Sequence, residues 1–450
     1  MAGGTWTSQT KLRPGAYINF KAVKKGSMTT GDRGVVAMGL PLSWGKEDEL
    51  IEVLSTDLLD GNSNKLVGFD AYDSASKLLA GALKYCYKAL VYRLPTVGAS
   101  AVTGVKATAT IGRLVCTAKY KGADGDKISM IITKDANNIY TVTTYYDGDV
   151  VDVQKVTEIA GLVNNDFVDF SDAGSGSFIT TTGTTLDGGV DTVVTSASYT
   201  NMNNALKIGG WQTLAFFSSD STDISNEISF VENLRNDEGK YVQIVVANYA
   251  SANSEGVINN VCGAIINEVT FSAVDFCAIV AGMTAGANFN QSNTARMIDG
   301  ATSIVGALSD SDIKTGLANG KFIISSSASG KIKVEQDINS LHDYPSDRDY
   351  SFSKNRVVRT LDEIGNTVKQ TWEDNYMGKV DNNDIGRGLF QSDLIVYGRE
   401  LERLGGIQNF KGAEDIEVVQ GTNIDSVVVT WAIQPVDSME KLYMTVNVSS

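Results

Sequence analysis

Between residues 199 and 263, short apolar runs rich in β-branched residues alternate with stretches of helical spacing, and this alternation limits the fold of the 450-residue chain more than any other feature. Helix is expected over 199–208, strand over 213–217, helix over 225–236, strand over 241–247 and helix over 255–263. Strands separated by helices return to the same end of a sheet and so run parallel, and a parallel sheet has to be covered on both faces. The pattern implies an α/β layer. Upstream, Leu79, Leu83 and Cys86 fall at helical spacing behind a possible cap at Asp73 or Ser74, and Leu90-Val91-Tyr92-Arg93-Leu94 follows as a buried strand.

The composition changes from about Val97 to Val194, where Thr, Gly, Asp, Val and Tyr dominate and candidate strands occupy 113–120, 128–133 and 140–146. This segment reads as a separate β-rich domain. After Ser309 a short helix and strands over 322–325 and 332–336 lead to two longer helices. One carries the stripe Leu361, Ile364, Val368, Trp372 and Tyr376, the other Leu394, Tyr397, Leu401 and Leu404, with Gly405-Gly406 as its stop. Val427-Val428-Val429-Thr430-Trp431 is a strand. Beyond a turn near Pro435, Leu442, Met444, Val446 and Val448 alternate with Tyr443, Thr445, Asn447 and Ser449. The expected architecture is mixed α/β and multidomain, a central α/β core with an inserted β-rich domain and extended terminal β-strand arms. Its divisions are an arm over 1–25, core over 26–96, β-rich insert over 97–194, core over 195–345, a helical domain over 346–424 and a β arm over 425–450.

The residue inventory argues against most chemistry. Apolar residues make up 42% and charged residues 20%, a globular composition, and no run of about 18 apolar residues reads as a membrane span. Met1-Ala2-Gly3-Gly4-Thr5-Trp6 does not read as a secretory signal, so assembly in the cytoplasm of the producing cell is expected. Cys86, Cys116, Cys262 and Cys277 are widely spaced among apolar residues and read as reduced buried thiols. A net charge of −15 opposes phosphate backbones, which excludes direct nucleic-acid binding.

The single histidine, His342, would have to serve any imidazole mechanism alone, and it reads as a loop residue. No GxxxxGK[ST] sequence is present, so a nucleotide-driven motor is excluded. Gly122-Ala123-Asp124-Gly125-Asp126-Lys127 admits a Ca²⁺ loop but lacks the EF-hand pattern and reads first as a turn. Acidic groups such as Glu47-Asp48-Glu49 read as solvated surface, and Trp372 and Tyr376 as core. No catalytic residue, cofactor or metal is expected.

A terminal apolar strand needs a partner sheet, because unpaired backbone groups recruit other chains. Two segments fit that description: Ala16, Tyr17, Ile18, Asn19 and Phe20 near the start, and Leu442, Tyr443, Met444, Thr445, Val446 and Val448 near the end. Lent to neighbouring copies, they would complete sheets there by strand addition.

Several blocks then resemble the tail sheath proteins of contractile-tailed phages and phage-tail-like bacteriocins, particularly those of Gram-positive hosts. Leu12-Arg13-Pro14-Gly15-Ala16-Tyr17-Ile18-Asn19-Phe20 is similar to the family's opening "RPGvYinf". The segment from Lys119 to Ile128 and the block Leu186-Asp187-Gly188-Gly189-Val190-Asp191 resemble the limits of its β-domain, although Asp126 and Thr192 depart from the usual residues. Gly378-Lys379-Val380-Asp381-Asn382, Gly386-Arg387, Tyr397 to Leu404, Gly405-Gly406-Ile407 and the segment from Gln434 to Tyr443 follow in the family's order.

The resemblance covers most of the chain and implies a homo-oligomeric sheath of stacked rings around an inner tail tube, bounded by baseplate and tail terminator proteins and contracting from a metastable extended state. It further implies that the C-terminal region, with Gly378, Lys379, Arg387, Leu401, Gly405, Gly406 and Ile407, faces the tube and supplies the arm-exchange sheet, while the β-rich domain lies outside. A self-assembling surface or adhesin-type protein is the competing reading, and a hydrolase built on paired carboxylates a weaker one.

Overall fold

In the computed structural model, residues 2–4, 15–17, 28, 31, 33–96, 103–193 and 196–448 are described. The chain divides into two compact units, Gly31–Asn366 with Pro435–Ser450 and Met1–Thr30 with Thr367–Gln434.

The larger unit is built on a seven-stranded sheet in the order Lys321–Phe322, Val257–Asn260, Gln243–Ala247, Thr213–Ala215, Val35–Pro41, Lys88–Leu94, Leu50–Leu54. All neighbours run parallel except the edge strand Leu50–Leu54. The strand Val35–Pro41 shows how two cores share one sheet. Val36, Met38 and Leu40 enter the core that contains the helix Ala273–Gly286, while Val35 and Ala37 enter the core shared with residues of the helices Ser196–Ile208 and Ser221–Asn236. Both faces are dry, as the α/β pattern requires.

Helix Ala273–Gly286 is apolar all round and almost wholly buried, so it carries no amphipathic period by which the sequence would disclose it. Its start is legible: Ser272 accepts from Asp275 N while Asp275 bonds back to Ser272. At Gly282 a Cβ would stand 2.3 Å from the Ala82 carbonyl oxygen, so this helix meets Lys77–Leu83 backbone to backbone.

Two expectations need correction. Residues 255–263 are not helical but supply the strands Val257–Asn260 and the start of Gly263–Ile266. Here Asn259 and Asn260 imitate exposed helix positions, yet both are buried and bond to the carbonyls of Tyr249, Cys262 and Ala273. In helix Asn355–Thr371 the stripe Leu361, Ile364 and Val368 is only half-buried. The buried face carries Val357, Val358, Arg359, Thr360, Asp362 and Glu363 instead, because ion pairs fasten this helix to the helix Ser221–Asn236 and to the segment around Asp337. Asp362 takes both guanidinium nitrogens of Arg235 at 2.8 and 2.9 Å, and Asp337 takes Arg359 at 2.6 Å and Asn355 at 2.9 Å.

The β-rich segment forms a four-stranded sheet, Asp149–Val156, Tyr140–Tyr146, Ile128–Lys134, Thr181–Thr185, and a three-stranded one, Val168–Asp172, Leu114–Ala118, Thr108–Ile111. Their shared core admits Trp44 from outside the segment, against Tyr120, Tyr146 and Phe167. The Gly122 to Lys127 block is a 3₁₀ turn at the joint with the α/β core. Asp126 accepts from Gly189 N at 2.8 Å, Asp191 accepts from Ser43, and Arg93 donates to the carbonyls of Leu42, Gly45 and Lys121. A Cβ at Gly189 would lie 2.3 Å from the Gly122 oxygen, which explains glycine there. His342 sits in a loop, with Nδ1 2.9 Å from the Ser340 carbonyl oxygen.

Candidate functional site

Three features of the chain are organised for contact rather than for a stable interior: a two-stranded hairpin, an exposed helix face and an unpaired apolar segment.

The hairpin Ile416–Gln420 with Val427–Trp431 belongs to the smaller unit, and its two strands pair with no further strand among the described residues. Its inner side is held by the helix Asp384–Arg403. Gly398 makes room for Phe410 and Trp431, whose ring atoms would lie 2.5 and 3.1 Å from a Cβ there, and Gln391 Nε2 donates to the Ile416 carbonyl at 2.7 Å. The hairpin turn is tied by Asn382, whose Nδ2 donates to the carbonyls of Ile424 and Ser426 at 2.8 and 2.9 Å. Asn382 Oδ1 in turn accepts from Arg387 at 2.9 Å. Val419, Val428 and Val429 remain exposed on a sheet of only two strands, a width that seldom stands alone in water.

The residues expected to face a tube separate into two groups. Leu401 and Ile407 are buried, and Gly405, at φ +76°, closes the helix with Gly406 behind it. They support the surface from beneath. Gly378 and Lys379 are exposed, and Gly378 and Arg387 line one concavity floored by Trp372, Tyr376 and Phe390. The Tyr376 hydroxyl donates to Asp393 at 2.5 Å, and burial together with that carboxylate pushes its pKa up. Sequence reading missed the outer stripe of the same helix, Ile385, Leu389 and Val396, all exposed. Their i, i+4, i+11 spacing was the available signal.

Of the first predicted arm, Ala16 and Tyr17 lie in the strand Gly15–Tyr17, which pairs in parallel with Ala2–Gly4. Ile18, Asn19 and Phe20 lie outside the described residues. The second arm enters no ladder: Leu442, Tyr443, Met444, Thr445, Val446 and Val448 have no strand assignment, and the five apolar or aromatic ones among them are each more than two-thirds exposed. A strand exists only with a partner, so the expected alternation is present without the hydrogen bonds.

Immediately before this segment the chain is fastened to the larger unit by Glu440, which lies in the block from Gln434 to Tyr443 and has no local pattern to mark its role. Glu440 Oε1 accepts from Thr294 Oγ1 at 2.6 Å, and Oε2 accepts from Gln336 Nε2 at 2.6 Å and from Lys354 Nζ. Lys354 is 5% and Glu440 10% exposed, with Asp437 3.8 Å from the ammonium. Burial alone would raise the Glu440 carboxyl, but the bonds from Lys354, Thr294 and Gln336 outweigh it and hold the pKa below the ordinary range. Lys354, which burial would lower, is held above its ordinary value by Glu440.

The chain matches three family models in sequence: the phage tail sheath protein beta-sandwich domain over residues 102–191, the phage tail sheath protein central domain over 192–340 and the phage tail sheath C-terminal domain over 347–449. It is 35% identical to the sheath tail protein of Desulfitobacterium hafniense, whose crystal structure superposes with a TM-score of 0.81 over 96% of this chain and 99% of that one. The sheath tail protein of Listeria innocua gives 32% identity and a TM-score of 0.79 over 92% and 95%. The phage-like element PBSX protein XkdK of Bacillus subtilis is 32% identical over the full length of both chains.

Proposed function

The chain belongs to the phage tail sheath protein family, and from that premise we propose that it polymerises as stacked rings around an inner tube, its copies linked by exchanged strands. The observation that carries this reading is the pairing of opposites within one chain. Leu442, Tyr443, Met444, Val446 and Val448 have strand alternation but no ladder, while the hairpin Ile416–Gln420 with Val427–Trp431 has edges but no further strand among the described residues. Strand addition satisfies both at once, through main-chain hydrogen bonds that leave the bodies able to rotate.

Donor and acceptor are different surfaces, so the contact can be passed head to tail through many copies. Ala16 to Phe20 are the second donor. The smaller unit faces the tube through Gly378, Lys379 and the stripe Ile385, Leu389 and Val396, and the β-sandwich lies outside. Baseplate and tail terminator proteins cap the polymer, which assembles in the host cytoplasm. Contraction draws on energy stored during assembly, a kinetically trapped state released by repacking of interfaces, in keeping with a sequence that has no P-loop signature. The role is structural and not enzymatic.

A chain ending at Lys441 tests the reading. It is expected to fold and remain soluble but to form no long tubes by electron microscopy. Normal helical sheaths from the shortened chain would exclude strand donation by this segment.

A further inference from the structure

Near the end of the larger unit the Glu440 side chain is buried beside exposed neighbours. Glu440 accepts from Thr294, Gln336 and Lys354, and at 3.4 Å from Ser438, whereas from Leu442 onward the apolar side chains are exposed. The bonds of Glu440 also continue inward. Thr294 Oγ1, which donates to Glu440, accepts from Asp337 N at 2.9 Å. The Asp337 carboxylate in turn takes Arg359, Asn355 and the Asn293 amide, and Asn355 Oδ1 takes Gln243 Nε2 from the central sheet at 3.1 Å. The carboxylate is thus the outermost member of a buried polar network rather than a surface ion pair. Breaking such a pair leaves a charge without compensation in a dry site, a far larger loss than for an exposed pair.

Building on the strand-exchange reading, we propose that Glu440 is the fixed root of the donated arm: residues 435–440 stay docked on their own body in the free subunit and in the polymer, and the exchanged, movable part begins at Lys441. Tension on the arm then enters the body through Thr294, Gln336 and Lys354. The root also limits the reach. Residues 441–448, which carry the alternation, span at most about 29 Å when extended, so an edge that pairs with the segment up to Val448 lies within that radius of Glu440.

The experiment measures spin-label distances in the full chain, with labels at Met439→Cys, a fully exposed site next to the root, and Ser329→Cys, in an exposed turn of the same unit. The four native cysteines are buried. Labelled subunits are diluted into unlabelled ones for polymer measurements. The expected result is one narrow distance, unchanged between the free subunit and the sheath, whereas a Tyr443→Cys label in place of Met439→Cys gives a broad distribution that narrows on assembly. Glu440→Ala and Lys354→Met each lose the narrow peak, and Lys354→Arg retains it.

A Met439 to Ser329 distance that changes on assembly would overturn the proposal, since the root would then undock. So would a narrow peak that survives Glu440→Ala. Strand donation itself fails by a separate result, tube formation by the chain ending at Lys441.

Discussion

At the scale of single residues, the side chains that matter most are charged or polar groups in dry places. Glu227, in the helix Ser221–Asn236, is 1% exposed, and its Oε1 and the neighbouring Asn203 Oδ1 are buried with no hydrogen-bond partner among the described residues, while Asn203 Nδ2 donates to Glu227 Oε2 at 3.1 Å. Burial pushes its pKa up to about 7, with Asp223 acting in the same direction against the Asn203 bond. In the unfolded chain the group ionises near an ordinary glutamate pKa, so between about pH 4.5 and 7 the folded state holds the extra proton and stability falls as pH rises. Glu227→Gln should remove this component. Denaturation at pH 5 and pH 8 should show wild type losing on the order of 1–3 kcal/mol relative to the variant as pH increases. Equal pH dependence of the two chains would show that Glu227 titrates normally.

Among elements, the same residue pattern has two outcomes according to whether a partner is present. Residues 140–146 and 442–448 both alternate apolar and polar positions, but Tyr140–Tyr146 sits between two strands of its own sheet and 442–448 has none. Proline at Val446 removes one main-chain donor from the second segment and nothing from the body, because this residue makes no ladder there. Val446→Pro should therefore leave the melting temperature of the free subunit unchanged and reduce sheath formation in a sedimentation assay. Sheath yield equal to wild type would count against strand donation. The hairpin differs again: Asn382 and Gly398 pack it onto its own unit, so its fold is local while its edges remain open.

For the molecule as a whole, a net charge of −15 on every copy opposes crowding into a polymer. Exposed charges farther apart than the Debye length are screened, and that length falls from about 30 Å at 0.01 M salt to about 10 Å at 0.1 M. Backbone strand pairing is far less sensitive to salt. Polymer yield should therefore rise with NaCl over this range and level off once screening is complete, as read by light scattering. A monotonic loss of polymer with salt would instead point to attractive ion pairs between subunits as the main linkage.

Family, fold class and most elements were legible from the amino-acid sequence, because they depend on local periodicity, turn chemistry and ordered motifs: the parallel strands around Thr213–Ala215 and Gln243–Ala247, the sandwich strands, the helix stop at Gly405 and the alternation after Leu442 are all short-range patterns. Tertiary structure alone decided what no local pattern carries. It turned the charged side of Asn355–Thr371 inward, made strands of Val257–Asn260 and Gly263–Ile266, and joined Glu440 to Thr294, 146 residues away. Pairs so distant leave no periodic trace, since an ion pair between remote segments depends on how the chain folds back and not on the residues beside it.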